Sequence, residues 1–245
     1  MVRRLLLPAC AAAVLLLGIL PAAASAVNVY AAASLRDVFR RIDGRPAFNF
    51  VGSNQLLAQI RRGAPADVFA AASTREPAVL ARERRCDRPR TFATNQLVLI
   101  VPRGNRARIR TVADLARGRT KRLVVGGPGV PVGAYTRRLL EKLRLTVVLR
   151  RNTVSEEANV AGVVSKVALG SADAGFVYVT DARIARDRVT AIRLPTYAQP
   201  PIRYDICAVR RPGADVRGAR DYIARVLSPR GRQLLRASGF GVPGG

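Results

Sequence analysis

The sequence has no histidine and no tryptophan, and only one methionine. Without histidine there is no Ser–His–Asp triad, no histidine metal site and no recourse to the commonest general base. Carboxylates are also scarce, 16 against 42 basic residues. Among them, Asp37, Asp67, Asp181 and Asp205 could be imagined as acids or bases, but no pair has a recognisable catalytic spacing. Each reads better as a cap or turn carboxylate, so no enzymatic activity is expected. Lysine occurs only at Lys121, Lys142 and Lys166, so nearly all the positive charge is arginine. Aromatic residues make up 5% of the chain and the arginines are scattered along all of it, which argues against a nucleic-acid interface despite the net charge of +26. There is no repeat of solenoid period and no low-complexity tract.

What is present is an apolar fraction of 49% in 245 residues, enough for one large or two small α/β domains with a real core. The chain starts with "MVRR", continues with the apolar run "LLLPACAAAVLLLGIL" and closes it with "PAAASA". This pattern reads as an export signal over residues 1–26, cleaved before Val27. A membrane anchor is the competing reading, but the run is short for a span and Pro8 interrupts it. Cys10 lies too early in the run to be an acylated lipoprotein cysteine. Cleavage leaves a mature net charge of +24 and two cysteines, Cys86 and Cys207. In an oxidising compartment these two either pair or remain separate buried thiols, and spacing alone does not decide.

After Val27, strand-like runs alternate with helical ones. The strand-like runs are "VNVYAA", "AFNFV", "ADVFAAA", "QLVLIVP", "RLVVGG", "TVVLRR", "AGFVYV", "VTAIRLP" and "IRYDICAV". Two helices close the chain, around 221–227 and 229–237. Such alternation predicts mostly parallel sheets flanked by helices. In these folds, strand ends and helix starts build the site. The first turn of a helix offers unpaired N–H groups and the positive end of a dipole, which bind anions without a formal charge. Ser34 and Ser53 stand at two such junctions. "PVG" at 131–133 stands at a third, before a helix expected to begin near Ala134. "EANVAGVV" forms a fourth, with Asn159 as the cap and Val160 offering its N–H. Taken singly, each has a plain structural reading: a helix cap, a core valine or, for Tyr178 in "AGFVYVTDA", a half-buried strand tyrosine.

Taken together and in order, these motifs carry a resemblance. "VYAAASL", "GSNQLLAQIRRGAPADVFAAAS", "NQLVLIVP", "PVGAYTRRLLEKL", "NVAGVVSKVALGSADAGFVYVTDA" and "LLRASGFGVP" cover nearly the whole chain after residue 26. The chain resembles the periplasmic molybdate-binding proteins of ABC importers. The resemblance implies a two-lobed, type II periplasmic-binding-protein fold with two hinge crossings. Lobe one would take 27–97 and 204–245, and lobe two 98–203, with "NQLVLIVP" and "IRYDICAV" side by side as hinge strands. It implies a monomer in the periplasm or cell envelope that captures molybdate or tungstate and hands it to the importer's membrane subunits. Five contacts carry over: the hydroxyls of Ser34 and Ser53, the backbone N–H groups of Val132 and Val160, and the phenol of Tyr178. No cofactor, no direct metal ligand and no nucleic-acid partner is implied. Two departures stand out. Position 54 is Asn where many members have Ser or Gly, read here as a structural helix-start residue, and "RRIDGRPAFNF" leaves room only for a short first helix. The alternative is the same fold binding sulfate, phosphate or a small organic anion.

Overall fold

The computed structural model describes residues 26–118 and 121–243, so all but the last residue of the expected export signal lies outside the described residues. In chain order the strands are β1 (Asn28–Ala32), β2 (Ala47–Val51), β3 (Val68–Ala71), β4 (Arg90–Asn95), β5 (Leu97–Pro102), β6 (Leu123–Gly126), β7 (Thr153–Glu157), β8 (Ala174–Tyr178), β9 (Val189–Arg193) and β10 (Ile202–Ala208). The α-helices are α1 (Arg36–Ile42), α2 (Ser53–Arg61), α3 (Arg75–Arg82), α4 (Pro131–Lys142), α5 (Val147–Asn152), α6 (Val160–Ala168), α7 (Val179–Ile184), α8 (Val216–Leu227) and α9 (Pro229–Ala237).

The strands form two five-stranded sheets, ordered β2-β1-β3-β10-β4 and β7-β6-β8-β5-β9. Each sheet has two parallel pairings, produced by strand–helix–strand units, and two antiparallel ones. The sheets are therefore mixed rather than mostly parallel, because a strand at each crossing of the chain enters its sheet in the reverse direction. The chain passes from the first sheet to the second at Gln96 and returns over 194–201. Leu97 thus belongs to the second sheet and Ile202 and Arg203 to the first, a residue or two from the expected boundaries.

The expected pairing of "NQLVLIVP" with "IRYDICAV" does not occur. β5 pairs with β8 and β9, and β10 with β3 and β4. Each strand lies one in from the edge of its own sheet, hydrogen-bonded on both sides, so neither has a free edge to offer the other. The crossings are joined instead by one side chain. The Leu97 N–H donates to Gln199 Oε1 at 2.9 Å, and Gln199 Nε2 donates back to Leu97 O at 2.8 Å.

One more expectation is corrected. "TVVLRR" forms a helix, α5, and the strand follows it as β7. Val148 and Asn152, four positions apart, are both buried while Arg150 between them is exposed, a helical and not a two-residue period. The Asn152 amide fixes the turn by donating to Val148 O and Leu115 O. A short apolar run does not by itself distinguish the two structures. β4, with its threonines, carries no strong apolar pattern and escaped the sequence reading. The first helix is short, as expected: α1 has seven residues.

The period of two along a strand explains how the first sheet is covered on both faces. On β3, Val68 and Ala70 join the large apolar cluster that runs through both halves of the molecule, while Phe69 and Ala71 join a smaller one under α2 and α3. The smaller cluster contains Cys86 and Cys207, which form a disulfide with their Cα atoms 6.1 Å apart.

Candidate functional site

Parallel strands β1 and β2 are in register, with Ala32 opposite Val51, so their C-terminal ends are level. Ser34 and Ser53 each lie two residues beyond those ends and are brought side by side by that register alone. Ser34 sits in a 3-10 turn, Ala33–Leu35, that leads into α1. Ser53 is the first residue of α2, and Gly52 takes the cap position. On the other half, β6 ends at Gly126 and leads through a turn to α4, which starts at Pro131, three residues earlier than expected. Val132 is thereby placed inside the first turn, where the N–H has no intrahelical acceptor. Asn159 caps α6 as expected, its Oδ1 accepting from Gly162 N at 3.2 Å, and leaves the Val160 N–H at the start of the helix. Tyr178 ends β8.

All five residues line one small pocket between the two sheets. No lining residue is charged; the rest of the wall is made of small and apolar residues such as Ala32, Ala72 and Val130, with the Asn159 cap. The walls come close together: a methyl group on Gly52 would lie 2.4 Å from the carbonyl oxygen of Ala158 in the other half.

Neither serine is the ordinary helix cap it resembles in sequence. Ser53 Oγ accepts from the N–H of Ala72 at 3.0 Å. Ser34 Oγ lies 3.1 Å from Tyr204 OH, which accepts from Asn95 Nδ2 at 3.3 Å. The Ser34 and Tyr204 hydroxyls share one hydrogen bond in which either can be the donor. Ser53 accepts from the protein and keeps its own proton to donate, and Ser34 does the same whenever Tyr204 donates to it. Tyr204 and Asn95 stand behind Ser34 and were not singled out by the sequence reading. The only signal for Tyr204 was a tyrosine in a strand otherwise suited to a core. It is fully buried, and its ring stands edge-on to that of Tyr178 at 5.9 Å.

The Tyr178 hydroxyl is buried and has no hydrogen-bond partner among the described residues. Burial raises its pKa well above that of an ordinary phenol, as it does for Tyr204, so both remain neutral donors at any physiological pH. The candidate acids are accounted for structurally. Asp67 is held by Arg211 at 2.6 Å and by backbone N–H groups, and Asp205 accepts from Thr91 at 2.6 Å. Asp37 is exposed. Asp181 accepts from the Tyr178 N–H at 3.3 Å, and desolvation by burial pushes its pKa up to about 7.

That shift has a sign that can be tested. The folded protein holds the Asp181 proton more tightly than the unfolded chain, so its contribution to stability is full below about pH 4 and is lost as pH rises to about 7. Asp181→Asn keeps an acceptor for Tyr178 and removes the titration. In urea unfolding between pH 4 and 8, the variant is expected to gain on the wild type as pH rises. Parallel curves would place the Asp181 pKa near the ordinary carboxylate value.

Comparison with known proteins agrees with this geometry. Residues 27–241 match the family described as bacterial extracellular solute-binding protein. The molybdate-binding protein ModA of Mycobacterium tuberculosis is 38% identical over 230 residues, which cover 90% of this chain and 86% of that protein. The chain belongs to the solute-binding family. ModA of Haemophilus influenzae is 29% identical over 91% of this chain and 93% of its own length. Among solved structures, the periplasmic molybdate-binding protein of Azotobacter vinelandii superposes with a TM-score of 0.77 at 21% identity, covering 89% of this chain and 99% of that one. The sulfate-binding protein SubI of M. tuberculosis reaches 0.75 at 14% identity, covering 90% of this chain and 88% of that one. At these identities the two structures show only the two-lobed α/β architecture, which the molybdate and sulfate proteins share. What this binding protein holds has to be argued from its pocket.

Proposed function

We infer that this protein captures molybdate, and tungstate with it, between its two lobes outside the cytoplasm and delivers it to the membrane subunits of an ABC importer. The observation that carries this reading is a pocket without any charged side chain, lined by hydrogen-bonding residues of both lobes. Its relatives named as molybdate-binding proteins support the same ligand. The role is binding, not catalysis, the anion is cargo and no cofactor takes part.

Neutral donors select by bond count and fit. A fully deprotonated tetrahedral dianion accepts from the Ser34 and Ser53 hydroxyls, the Val132 and Val160 N–H groups and the Tyr178 phenol. Phosphate carrying a proton would set an O–H against a donor and leave a buried polar group unpaired. Sulfate has the same charge and is smaller, so selection against it falls to the size of the cavity. A buried arginine would attract all of these anions and would itself have to be desolvated. The ligand bridges the lobes and so favours the closed arrangement, the form offered to the importer. The protein acts as a monomer after loss of residues 1–26, and its surplus arginines draw anions toward the cleft in a salt-dependent way.

The test is titration calorimetry, with native mass spectrometry, against molybdate, tungstate, sulfate and phosphate. Molybdate and tungstate are expected to bind one per chain and the others not at comparable concentration. Equal binding of sulfate would overturn the assignment.

Tyr178→Phe tests the pocket directly. The hydroxyl has no partner among the described residues, so removing it should cost the unliganded fold little. A hydrogen bond to a charged ligand is worth about 1.5–3 kcal/mol, so molybdate affinity should fall roughly ten- to a hundredfold. Melting curves with and without molybdate are expected to show an unchanged baseline and a smaller ligand-induced shift. An equal shift in both proteins would remove Tyr178 from the site.

A further inference from the structure

Next to Ser53, the first turn of α2 carries a polar group that the anion pocket does not use. Asn54 Oδ1 is buried and has no hydrogen-bond partner among the described residues. It lies where the two lobes approach most closely. A methyl group on Gly52 would lie 2.4 Å from Ala158 O and 2.8 Å from Asn54 Oδ1, so both oxygens crowd one point. On its other side, a methyl group on Gly129 would lie 3.8 Å from Asn54 Nδ2. The amide of Asn54, carried by lobe one, thus sits between two backbone segments of lobe two. One leads into Val160 and the other into Val132.

Asn54 Oδ1 has no partner among the described residues, and buried polar groups are rarely left so. The two ends of a carboxamide have the same shape, and the bonds available decide which way it points. Turned by half a rotation, the amide would bring Nδ2, a donor, to the side of Gly52 where Ala158 O also lies. We propose that Asn54 is the latch of the closed protein, donating from Nδ2 across the cleft to the Ala158 carbonyl and so holding the Val160 N–H over the bound anion. This rests on the functional reading above. Asn54 touches no ligand in this scheme. It is a positioning residue whose effect falls on release.

The test compares molybdate dissociation and association rates by stopped flow, together with melting of the unliganded protein, for wild type and for Asn54→Ala, Asn54→Ser and Asn54→Asp. A latch predicts release about tenfold faster in all three variants, the loss of one hydrogen bond, with association little changed. A residue that only serves its helix predicts something different. Asp in the first turn of a helix is favourable, so Asn54→Asp would melt no lower than wild type, and release from Asn54→Ala and Asn54→Ser would be unchanged. That pattern would overturn the latch, as would faster release in the Asp variant alone, which is repulsion of the dianion by the new charge. Wild type that binds no molybdate defeats the functional reading and the latch with it. Wild type that binds, with variant release unchanged, defeats only the latch.

Discussion

Removing the disulfide, by Cys86→Ala with Cys207→Ala or by reduction, is expected to lower the stability of this protein by about 2–5 kcal/mol. The two cysteines are 121 residues apart, and the closed loop contains the whole second sheet. Cys86 follows α3, before the chain first crosses between lobes, and Cys207 lies in β10, after it has returned. The bond thus ties the returning strand to the part of the first sheet made before departure. In the unfolded chain it removes the entropy of a very long loop, which is where most of its stabilisation lies in the chain-entropy account. The sulfurs pack with Leu56, Phe69 and Leu80 in the smaller apolar cluster, so alanine at both positions leaves no unpaired polar group and isolates the loss of the bond. Urea unfolding with and without reductant measures the effect. Since neither cysteine lines the anion pocket, molybdate affinity of the folded fraction should be unchanged. An unfolding midpoint insensitive to reductant would mean that the bond contributes nothing in solution.

Gly133→Ala is expected to cost about 3 kcal/mol and to abolish tight molybdate binding. A Cβ at this position would lie 2.1 Å from Gly126 O and 2.2 Å from Gly127 O. Both are backbone atoms at the end of β6, and neither can swing aside as a side chain could. Gly126 is equally constrained, since a Cβ there would lie 2.9 Å from Gly133 N. The start of α4 therefore rests backbone against backbone on the strand, and a methyl group must push the helix off. The Val132 N–H, one residue earlier, moves with it, so binding should suffer even in molecules that remain folded. Gly127→Ala is the control: a Cβ there meets nothing nearer than 3.7 Å and should be tolerated. Equal melting temperatures for Gly133→Ala and wild type would show that the helix start has room to shift.

The strand-to-helix junctions were legible because they are local pattern. A strand that stops at small residues and turns into a helix can be read within a dozen positions, and Ser34, Ser53, "PVG" and "NV" stand at such stops, whereas Val132, Val160 and Tyr178 as contacts of an anion were implied only by the resemblance. Parallel pairing of β1 with β2 then brings the serines level without further information. What local pattern could not supply was the partner of each group. The hydroxyl that orients Ser34 belongs to Tyr204, 170 residues away, and the amide behind that belongs to Asn95. The run "TVVLRR" has too few residues to separate a period of two from one near four, and only burial of Val148 with Asn152 decided for a helix. The two crossing strands were expected to pair because both are apolar and lie near the hinge, yet each found a fuller set of neighbours inside its own sheet.

The sequence by itself determined that the chain folds as alternating strands and helices, that it has no histidine for a triad or metal site, and that neutral hydroxyls stand at strand-to-helix junctions. These follow from composition and short-range periodicity, which a linear chain displays directly. Only the tertiary structure decided that Cys86 and Cys207 pair, that Ser53 accepts from Ala72 and keeps its own proton to donate, that the Tyr178 hydroxyl has no partner among the described residues, and that Gly52 of one half lies against Ala158 of the other. Each of these depends on two groups far apart in sequence arriving at hydrogen-bond or van der Waals distance, and packing sets that distance, not any pattern along the chain.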